Sequence, residues 1–228
     1  MIIRVEYSDR SFETYFLPMT FISGEDAEHL EAESPQSIIA HLALPSGLHG
    51  TLYDAFYYDE FLITFANSIA QKRQYRKKDS KLAPEHCAGY RFRARLNNPN
   101  VYISNINEGR VTIILDESVV LRVFRRLDAG ISPDYEVSNY LTLKKFKHTL
   151  PLIGSMDYVR PGREPTTLAI LFKYIKNQGQ AWEFSLQYLA RNFERAAAGV
   201  EDIKELPAAP SGFNIGIEDE PPEFVLAN

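Results

Sequence analysis

The sequence predicts an α+β fold, in which antiparallel sheets carry packed helices. The first observation is that short apolar or alternating runs come in pairs around turn residues. Ile2 to Tyr7 and Phe12 to Met19, for example, flank Ser-Asp-Arg-Ser, which is typical of a hairpin. The second is that segments with helical spacing of apolar residues stand among these runs, and no internal repeat is found.

The first part of the chain, residues 1–96, is predicted to form an antiparallel-sheet cap subdomain. A short acidic helix follows Gly24 and ends near Pro35, because proline cannot continue a helix. Strands are predicted at Ile38 to Leu44 and at Leu52 to Tyr57, on either side of a glycine-containing turn.

The remainder of this part holds one helix, one loop and one strand. From Asp59 to about Arg73, apolar residues at helical spacing predict an amphipathic helix. The basic run from Lys72 to Lys81 has no apolar period and is expected to be an exposed loop. Tyr90 to Leu96 alternates strictly, which indicates a half-buried strand.

The second part, residues 97–205, begins where Asn-Asn-Pro-Asn breaks the pattern. Two strands flank Asp-Glu-Ser, a helix follows, two strands surround Arg-Pro-Gly-Arg, and a second helix ends the part. The predicted elements are Val111 to Leu115, Val119 to Phe124, Pro133 to Lys145 with Ser132 as its cap, Leu152 to Tyr158, Leu168 to Tyr174 and Gly179 to Ala198. Residues 206–228 are acidic and proline-rich, as in a linker.

The amino-acid composition of the chain disfavours several classes of function. The net charge of −5 disfavours nucleic acid as the main partner, because phosphate backbones need a concentrated positive surface. No apolar run is long enough to span a membrane. A single cysteine, Cys87, cannot form an internal disulfide and suits a reducing compartment, so a cytoplasmic location is expected. The five histidines show no metal-ligand spacing, and no metal site is predicted.

Other residue groups allow two interpretations each. Lys72 to Lys81, with three arginines of the following strand, could bind anions, although a solvated loop is the simpler interpretation. Cys87 beside His86 resembles a nucleophile pair but has no third partner in the sequence. Trp182 could stack on a sugar, but its position on an apolar helix face favours packing in a core.

One group of residues indicates a chemical function. The order hairpin, helix, two strands is that of the small lobe in kinases built on the protein-kinase plan. In that lobe a turn covers the nucleotide phosphates, a cation on the next strand holds them, and a helix glutamate orients the cation. Here the turn is the segment 107–112 with Gly109 and Thr112, the strand cation is Arg122, and the helix carboxylate is Glu136.

Three segments carry a resemblance to a known family. They are Leu-Arg-Val-Phe-Arg-Arg-Leu-Asp-Ala-Gly-Ile-Ser-Pro-Asp-Tyr-Glu-Val, the segment Leu-Phe-Lys-Tyr-Ile-Lys-Asn-Gln-Gly-Gln-Ala-Trp-Glu, and the early Glu-Thr-Tyr-Phe-Leu-Pro-Met-Thr-Phe with Gly-Glu-Asp-Ala. Together they resemble maltokinases, which occur alone or fused behind trehalose synthase. The likeness extends over the amino-terminal cap and the kinase-like small lobe, and thus over nearly the whole chain.

The resemblance implies the activity of an intact relative. Such an enzyme phosphorylates maltose from ATP with Mg²⁺ and yields maltose 1-phosphate for α-glucan synthesis. Arg122 and Glu136 would hold the phosphates under the turn of Gly109 and Thr112. Backbone groups around Leu171, Phe172 and Lys173 would hold the adenine edge.

The sequence departs from the family pattern in three respects. The small polar phosphate turn is replaced by Gly109-Arg-Val-Thr112, and the expected lysine is Arg122, whose planar fork is not equivalent to a point charge. The family's catalytic aspartate and metal carboxylates belong to a helical carboxyl-terminal lobe, so no catalytic residue is expected in this chain. We therefore expect part of a kinase. The alternative is a non-catalytic domain whose cap sheet docks trehalose synthase or another partner.

Overall fold

The structure is a computed structural model that describes residues 1–89, 96–106, 109–177, 179 and 181–199. Most of the predicted strand from Tyr90 to Leu96, the tip of the turn at 107–108 and the linker at 206–228 lie outside the described residues. The described strands are β1 (Ile2–Glu6), β2 (Phe12–Phe16), β3 (Met19–Ser23), β4 (Ile38–Ala43), β5 (His49–Asp54), β6 (Tyr75–Lys77), β7 (Ser80–His86), β8 (Val101–Ile106), β9 (Arg110–Leu115), β10 (Val119–Phe124), β11 (Arg126–Leu127), β12 (Leu152–Val159) and β13 (Thr166–Lys173). The described helices are α1 (Glu25–Glu33), α2 (Asp59–Ala70), α3 (Pro133–Leu143) and α4 (Ala181–Gly199).

The strands form three antiparallel sheets. The largest has the order β6-β7-β12-β13-β10-β9-β8, and the two smaller ones have the orders β3-β5-β4 and β1-β2-β11. Helices α2 and α3 lie on the large sheet. The predicted α+β class, with antiparallel sheets and packed helices, is confirmed.

The two parts on either side of the predicted boundary at residues 96 and 97 share strands of the same sheets. Strand β7, from the first part, pairs with β12 of the second along its whole length, and β11 pairs back with β2. The large sheet is thus built from both parts. The chain divides into two compact units, Met1–Lys176 and Asn177–Asn228.

The prediction that Lys72 to Lys81 form an exposed loop is wrong. This segment contains β6 and the start of β7, and the two strands form a hairpin. An aromatic ring anchors this basic segment. The Tyr75 hydroxyl lies 2.7 Å from Ser68 Oγ on α2, and the Arg73 guanidinium lies 5.2 Å from the centre of the Tyr75 ring. Strand β8 was not predicted at all.

The core lies between α2 and one face of the large sheet. Leu62 and Ile69 of α2 are fully buried with Val111, Leu121 and other residues at alternate positions of β9 and β10. Because strand side chains alternate, the intervening residues of β9 and β10 point to the opposite face. That opposite face carries α3 and the candidate site.

Helix α3 is attached to the sheet near both ends. At its start the Ser132 N–H donates to Thr167 Oγ1 (3.1 Å), and at its end Thr142 Oγ1 accepts from the Leu152 N–H (3.0 Å). Ser132 occupies the predicted cap position, but its side chain makes no capping hydrogen bond. Tyr135 points inward and is buried against the sheet. The rotation of α3 about its axis is thereby determined.

Helix α4 belongs to the second unit and agrees with the predicted helix to within two residues at each end. Its apolar residues Trp182, Leu186, Leu189 and Phe193 recur at helical spacing. The expectation that Trp182 packs in a core is not met, since 71% of its surface is exposed. In the described ranges no helix is both long and apolar enough to cross a membrane.

Candidate functional site

The predicted strand cation, Arg122, lies at the centre of the sheet face that carries α3. It stands opposite Thr112 on β9 and opposite Ile170 on β13, so the three residues form one row across the strands. The Arg122 guanidinium carbon lies 5.3 Å from the centre of the Phe172 ring. The side chain is 27% exposed, so its charge is partly shielded yet within reach of a ligand.

The carboxylate that contacts Arg122 is Asp134, two residues before the predicted Glu136. Arg122 Nη1 donates to Asp134 Oδ2 at 3.1 Å, and among the described residues no ion pair joins Arg122 to Glu136. Two helical residues are about 200° apart around the axis, so Asp134 and Glu136 flank the buried Tyr135 on opposite sides. Only one of them can face Arg122, and Glu136 is exposed.

A second arginine joins the same carboxylate. Arg110 Nη1 lies 3.0 Å from Asp134 Oδ2. Arg110 is two residues before Thr112 on β9 and therefore shares the face of Arg122. Arg110 and Asp134 were not among the predicted site residues. The alternation of β9 could have indicated Arg110, whereas Asp134 required knowing how α3 is rotated.

The carboxyl-terminal side of the predicted phosphate turn is held by β10. The Gly109 carbonyl oxygen accepts a hydrogen bond from the Arg125 N–H at 2.8 Å. A Cβ added at Gly109 would meet no atom within 4 Å, so the space beside this glycine is open. The turn residues at 107–108 lie outside the described part of the chain.

The residues predicted to hold the adenine edge, Leu171, Phe172 and Lys173, are the last three residues of the central strand β13. Leu171 and Phe172 pair with β10 on one side and β12 on the other, and the Lys173 N–H donates to the Pro151 carbonyl oxygen (2.9 Å). A central antiparallel strand uses its backbone groups in these ladders. The backbone of these residues is therefore committed to the sheet. The ladder ends at Tyr174, whose N–H donates to the Ser118 carbonyl oxygen (2.9 Å).

An apolar row lies beside the row of Arg122, on the same face. It consists of residues paired across successive strands, namely Tyr102, Ile114, Val120 and Phe172. Tyr102 is 64% exposed, whereas Phe172 is buried. The two rows are two residues apart along β10, which corresponds to about 7 Å.

A cleft opens at the outer end of this apolar row. Its volume is about 580 Å³, and it is lined by Asn100, Tyr102, Ile114, Asp116, Glu117 and Tyr174. Asp116 and Glu117 form the β9–β10 turn with positive φ angles of 51° and 47°, a conformation that matches the twist of a hairpin. Asp116 Oδ1 accepts from the N–H of Asn100 at 2.9 Å, which joins β8 to the turn.

A buried carboxyl group lies further along the same face, beneath the start of α3. Asp157 is 4% exposed; Ser155 Oγ donates to its Oδ2 (3.3 Å), and its Oδ1 has no hydrogen-bond partner. Burial is the main cause that raises the pKa of Asp157 to about 6. Burial also raises the pKa of the neighbouring Tyr135 to about 12, with smaller contributions from Glu85 and Asp157. The carboxyl group of Asp157 and the phenol of Tyr135 thus form a buried polar pair between the sheet and α3.

Among the described residues, no three His, Cys, Asp or Glu side chains are arranged to hold a metal ion. Cys87 is buried, and His86 Nε2 lies 2.5 Å from the Ile69 carbonyl oxygen. This contact ties the ring of His86 to the end of α2.

No protein-family model matches the chain. Solved structures to which it is similar are glucosamine kinases, which are sugar kinases. A glucosamine kinase in complex with glucosamine, ADP and inorganic phosphate is 15% identical with a TM-score of 0.47, and the alignment covers 84% of this chain and 37% of that one. Crystal form A of a glucosamine kinase gives 14% identity, a TM-score of 0.45 and coverages of 84% and 36%. Crystal form B of a glucosamine kinase gives 14% identity and a TM-score of 0.42, and the alignment covers 79% of this chain and 38% of that one. The chain therefore spans a little over a third of the length of these proteins.

Proposed function

We propose that this chain is the nucleotide-binding part of a sugar kinase. The face of the large sheet beside α3 receives ATP, with the base near the cleft of Tyr102 and Tyr174 and the phosphates near Arg122. The observation that carries the proposal is the order of groups on this face. An apolar row ends in an open cleft, and a partly shielded arginine lies in the next row.

The chemistry of Arg122 supports a phosphate ligand. Its Nε is buried and has no hydrogen-bond partner, although a buried N–H normally finds one. A guanidinium forms strong, charge-assisted hydrogen bonds with phosphate oxygens. The neighbouring apolar row would exclude water from the face of the base, as hydrophobic walls do in most small-molecule sites.

The resemblance to maltokinases motivates a finer proposal about an intact kinase that contains this region. A hydroxyl oxygen of maltose would attack the γ-phosphorus of ATP, ADP would leave, and a base would accept the hydroxyl proton. When bound, Mg²⁺ would neutralise charge on the phosphates. Because the described residues contain no group of carboxylates able to hold a metal, we assign no residue of this chain to Mg²⁺ or to the base.

Isothermal titration calorimetry with ATP tests the nucleotide site. The wild-type chain should bind ATP, and Arg122→Gln should weaken binding by about tenfold or more, since a hydrogen bond to a charged group contributes about 1.5–3 kcal/mol. Arg160→Gln is the matched control because Arg160 is exposed in the β12–β13 turn. Equal ATP affinity for all three proteins would refute the proposed phosphate position.

A second candidate is the interaction domain that the sequence analysis left open. The edge strand β4 and its turn expose four large apolar side chains, those of Ile39, Leu42, Leu44 and Leu48. Exposed apolar residues on an edge strand favour contact with another protein. We propose trehalose synthase as the first partner to examine, because the resembled family is associated with it.

Co-purification with trehalose synthase at micromolar concentration separates this candidate from the first. The double variant Leu42→Glu, Leu48→Glu should lose a partner that docks on β4, while ATP binding remains. If the wild-type chain retains no trehalose synthase, or the double variant retains it equally, docking on this strand is excluded.

A further inference from the structure

Two arginines on neighbouring strands converge on one carboxylate oxygen. Arg110 Nη1 and Arg122 Nη1 lie 3.0 Å and 3.1 Å from Asp134 Oδ2. Two guanidinium groups and one carboxylate leave a formal charge of +1 in this cluster. Because like charges repel, an anion between the two guanidinium groups lowers the electrostatic cost of their proximity.

The cluster offers more hydrogen-bond donors than Asp134 can accept. Each guanidinium carries five N–H donors, and Arg122 Nε is buried without a partner. The cluster is nevertheless reachable, since the side chains of Arg110 and Asp134 are 41% and 42% exposed. A ligand with several phosphate oxygens could satisfy donors that Asp134 leaves unused.

We infer that Arg110 is a second phosphate-contacting residue and that Asp134 is a built-in competitor for the phosphates. This inference deepens the proposed nucleotide site and rests on it. A di- or triphosphate engages Arg110 and Arg122 together, and Asp134 withdraws from one or both of them. The affinity for the ligand then depends on how much more strongly the two arginines bind phosphate than they bind the carboxylate of Asp134.

The direction in which neutralising Asp134 changes ligand affinity distinguishes a competitor from a residue that orients Arg122. If Asp134 orients Arg122 for the nucleotide, as a helix carboxylate does in protein kinases, its neutralisation weakens binding. If Asp134 competes, its neutralisation strengthens binding, because a negative charge close to the phosphates is removed. The start of α3 is also attached through Ser132 and Thr167, so Asp134→Asn is expected to fold.

The experiment measures binding of ATP and of tripolyphosphate, which has no base, to the full chain by calorimetry. Asp134→Asn should bind both ligands about three- to tenfold more tightly than wild type. Arg110→Gln should bind both about tenfold more weakly. The control Arg126→Gln should match wild type, because Arg126 lies on β11 in another sheet and pairs with Glu13. Circular dichroism and thermal unfolding verify that each variant is folded.

The outcomes for the inference and for the proposed function are distinct. Unchanged or weaker binding by Asp134→Asn overturns the competitor role, and unchanged binding by Arg110→Gln overturns the second contact, even if Arg122→Gln abolishes ATP binding. If the variants behave as expected but ATP binds no more tightly than tripolyphosphate, the phosphate cluster stands and the proposed base cleft fails. Absence of binding by either ligand to any of these proteins overturns both.

Discussion

Arginine at the position of the expected lysine changes what the site can do. A lysine is a compact point charge, whereas the planar guanidinium of Arg122 presents several N–H donors, one of which is bonded to Asp134. The side chain is also packed, since its guanidinium stands over the Phe172 ring. At the scale of single residues, Arg122 therefore combines a packing role with a proposed ligand role. Asp157, in the same layer, is buried and contacts Ser155.

The buried carboxyl of Asp157 should make stability depend on pH. Its folded-state pKa of about 6 lies above the ordinary value of 3.8. The native state therefore keeps a proton that the unfolded state has released, and the free energy of unfolding falls as pH rises from about 4 to about 6. Asp157→Asn removes this loss. We expect it to raise the free energy of unfolding at pH 7.5 by about 1–3 kcal/mol and to change it little at pH 4.

Urea unfolding at the two pH values measures this effect. Asp128→Asn is the control, because Asp128 is exposed. Equal destabilisation of the Asp157 variant at both pH values would show that the contribution of this side chain to stability does not depend on its protonation, and would contradict the expected pH dependence.

At the scale of elements, an ion pair joins the small β3-β5-β4 sheet to the large one. Asp54, the last residue of β5, pairs with Arg125, which follows β10. Asp54 Oδ1 also accepts from the Phe56 N–H (3.0 Å), and the Arg125 guanidinium lies 4.8 Å from the centre of the Phe56 ring. The Asp54 side chain is 9% exposed, so the pair is largely withdrawn from water. Loss of either charge leaves the other poorly solvated.

Asp54→Asn keeps an acceptor for Phe56 and removes the charge. We expect the free energy of unfolding to fall by about 2–3 kcal/mol. The exposed pair of His29 and Glu33 on α1 provides the control, and Glu33→Gln should cost less than about 0.5 kcal/mol. Similar losses for the two variants in urea unfolding would contradict the proposed contribution of the buried pair.

The β7–β12 pairing has a different requirement, which is a close approach of backbones at Gly154. A Cβ at this position would lie 2.3 Å from the Glu85 carbonyl oxygen. Gly154→Ala must therefore displace one strand from the other, with an expected loss of about 1–3 kcal/mol. Gly109→Ala has open space and should have little effect. Comparable stability of the two variants in thermal unfolding would show that this approach is not a constraint.

For the whole molecule, local patterns predicted local structure. The hairpin β9–β10 and helix α3 depend on alternation and on helical spacing within a dozen residues, and the sequence contains both signals. The pairing of β7 with β12 joins segments about 70 residues apart, for which no local pattern exists. The hairpin β6–β7 was missed because its charged residues hide the alternation.

The candidate site could likewise be predicted only in part. The face position of Arg122 and Thr112 follows from strand alternation and could be predicted. The choice of Asp134 over Glu136 could not, because the rotation of α3 depends on Tyr135 packing against strands that are distant in the sequence. The predicted adenine contacts depend on distant residues in a related way. Whether the backbone of Leu171 is available depends on how many strands flank β13.

The central claim is that ATP binds to the sheet face beside α3. The most direct test is a titration of the isotope-labelled full chain with ATP, followed by amide chemical shifts. The largest shifts should cluster at Tyr102, Thr112, Arg122 and Tyr174. No shifts at millimolar ATP, or shifts confined to the β4–β5 hairpin, would contradict this claim.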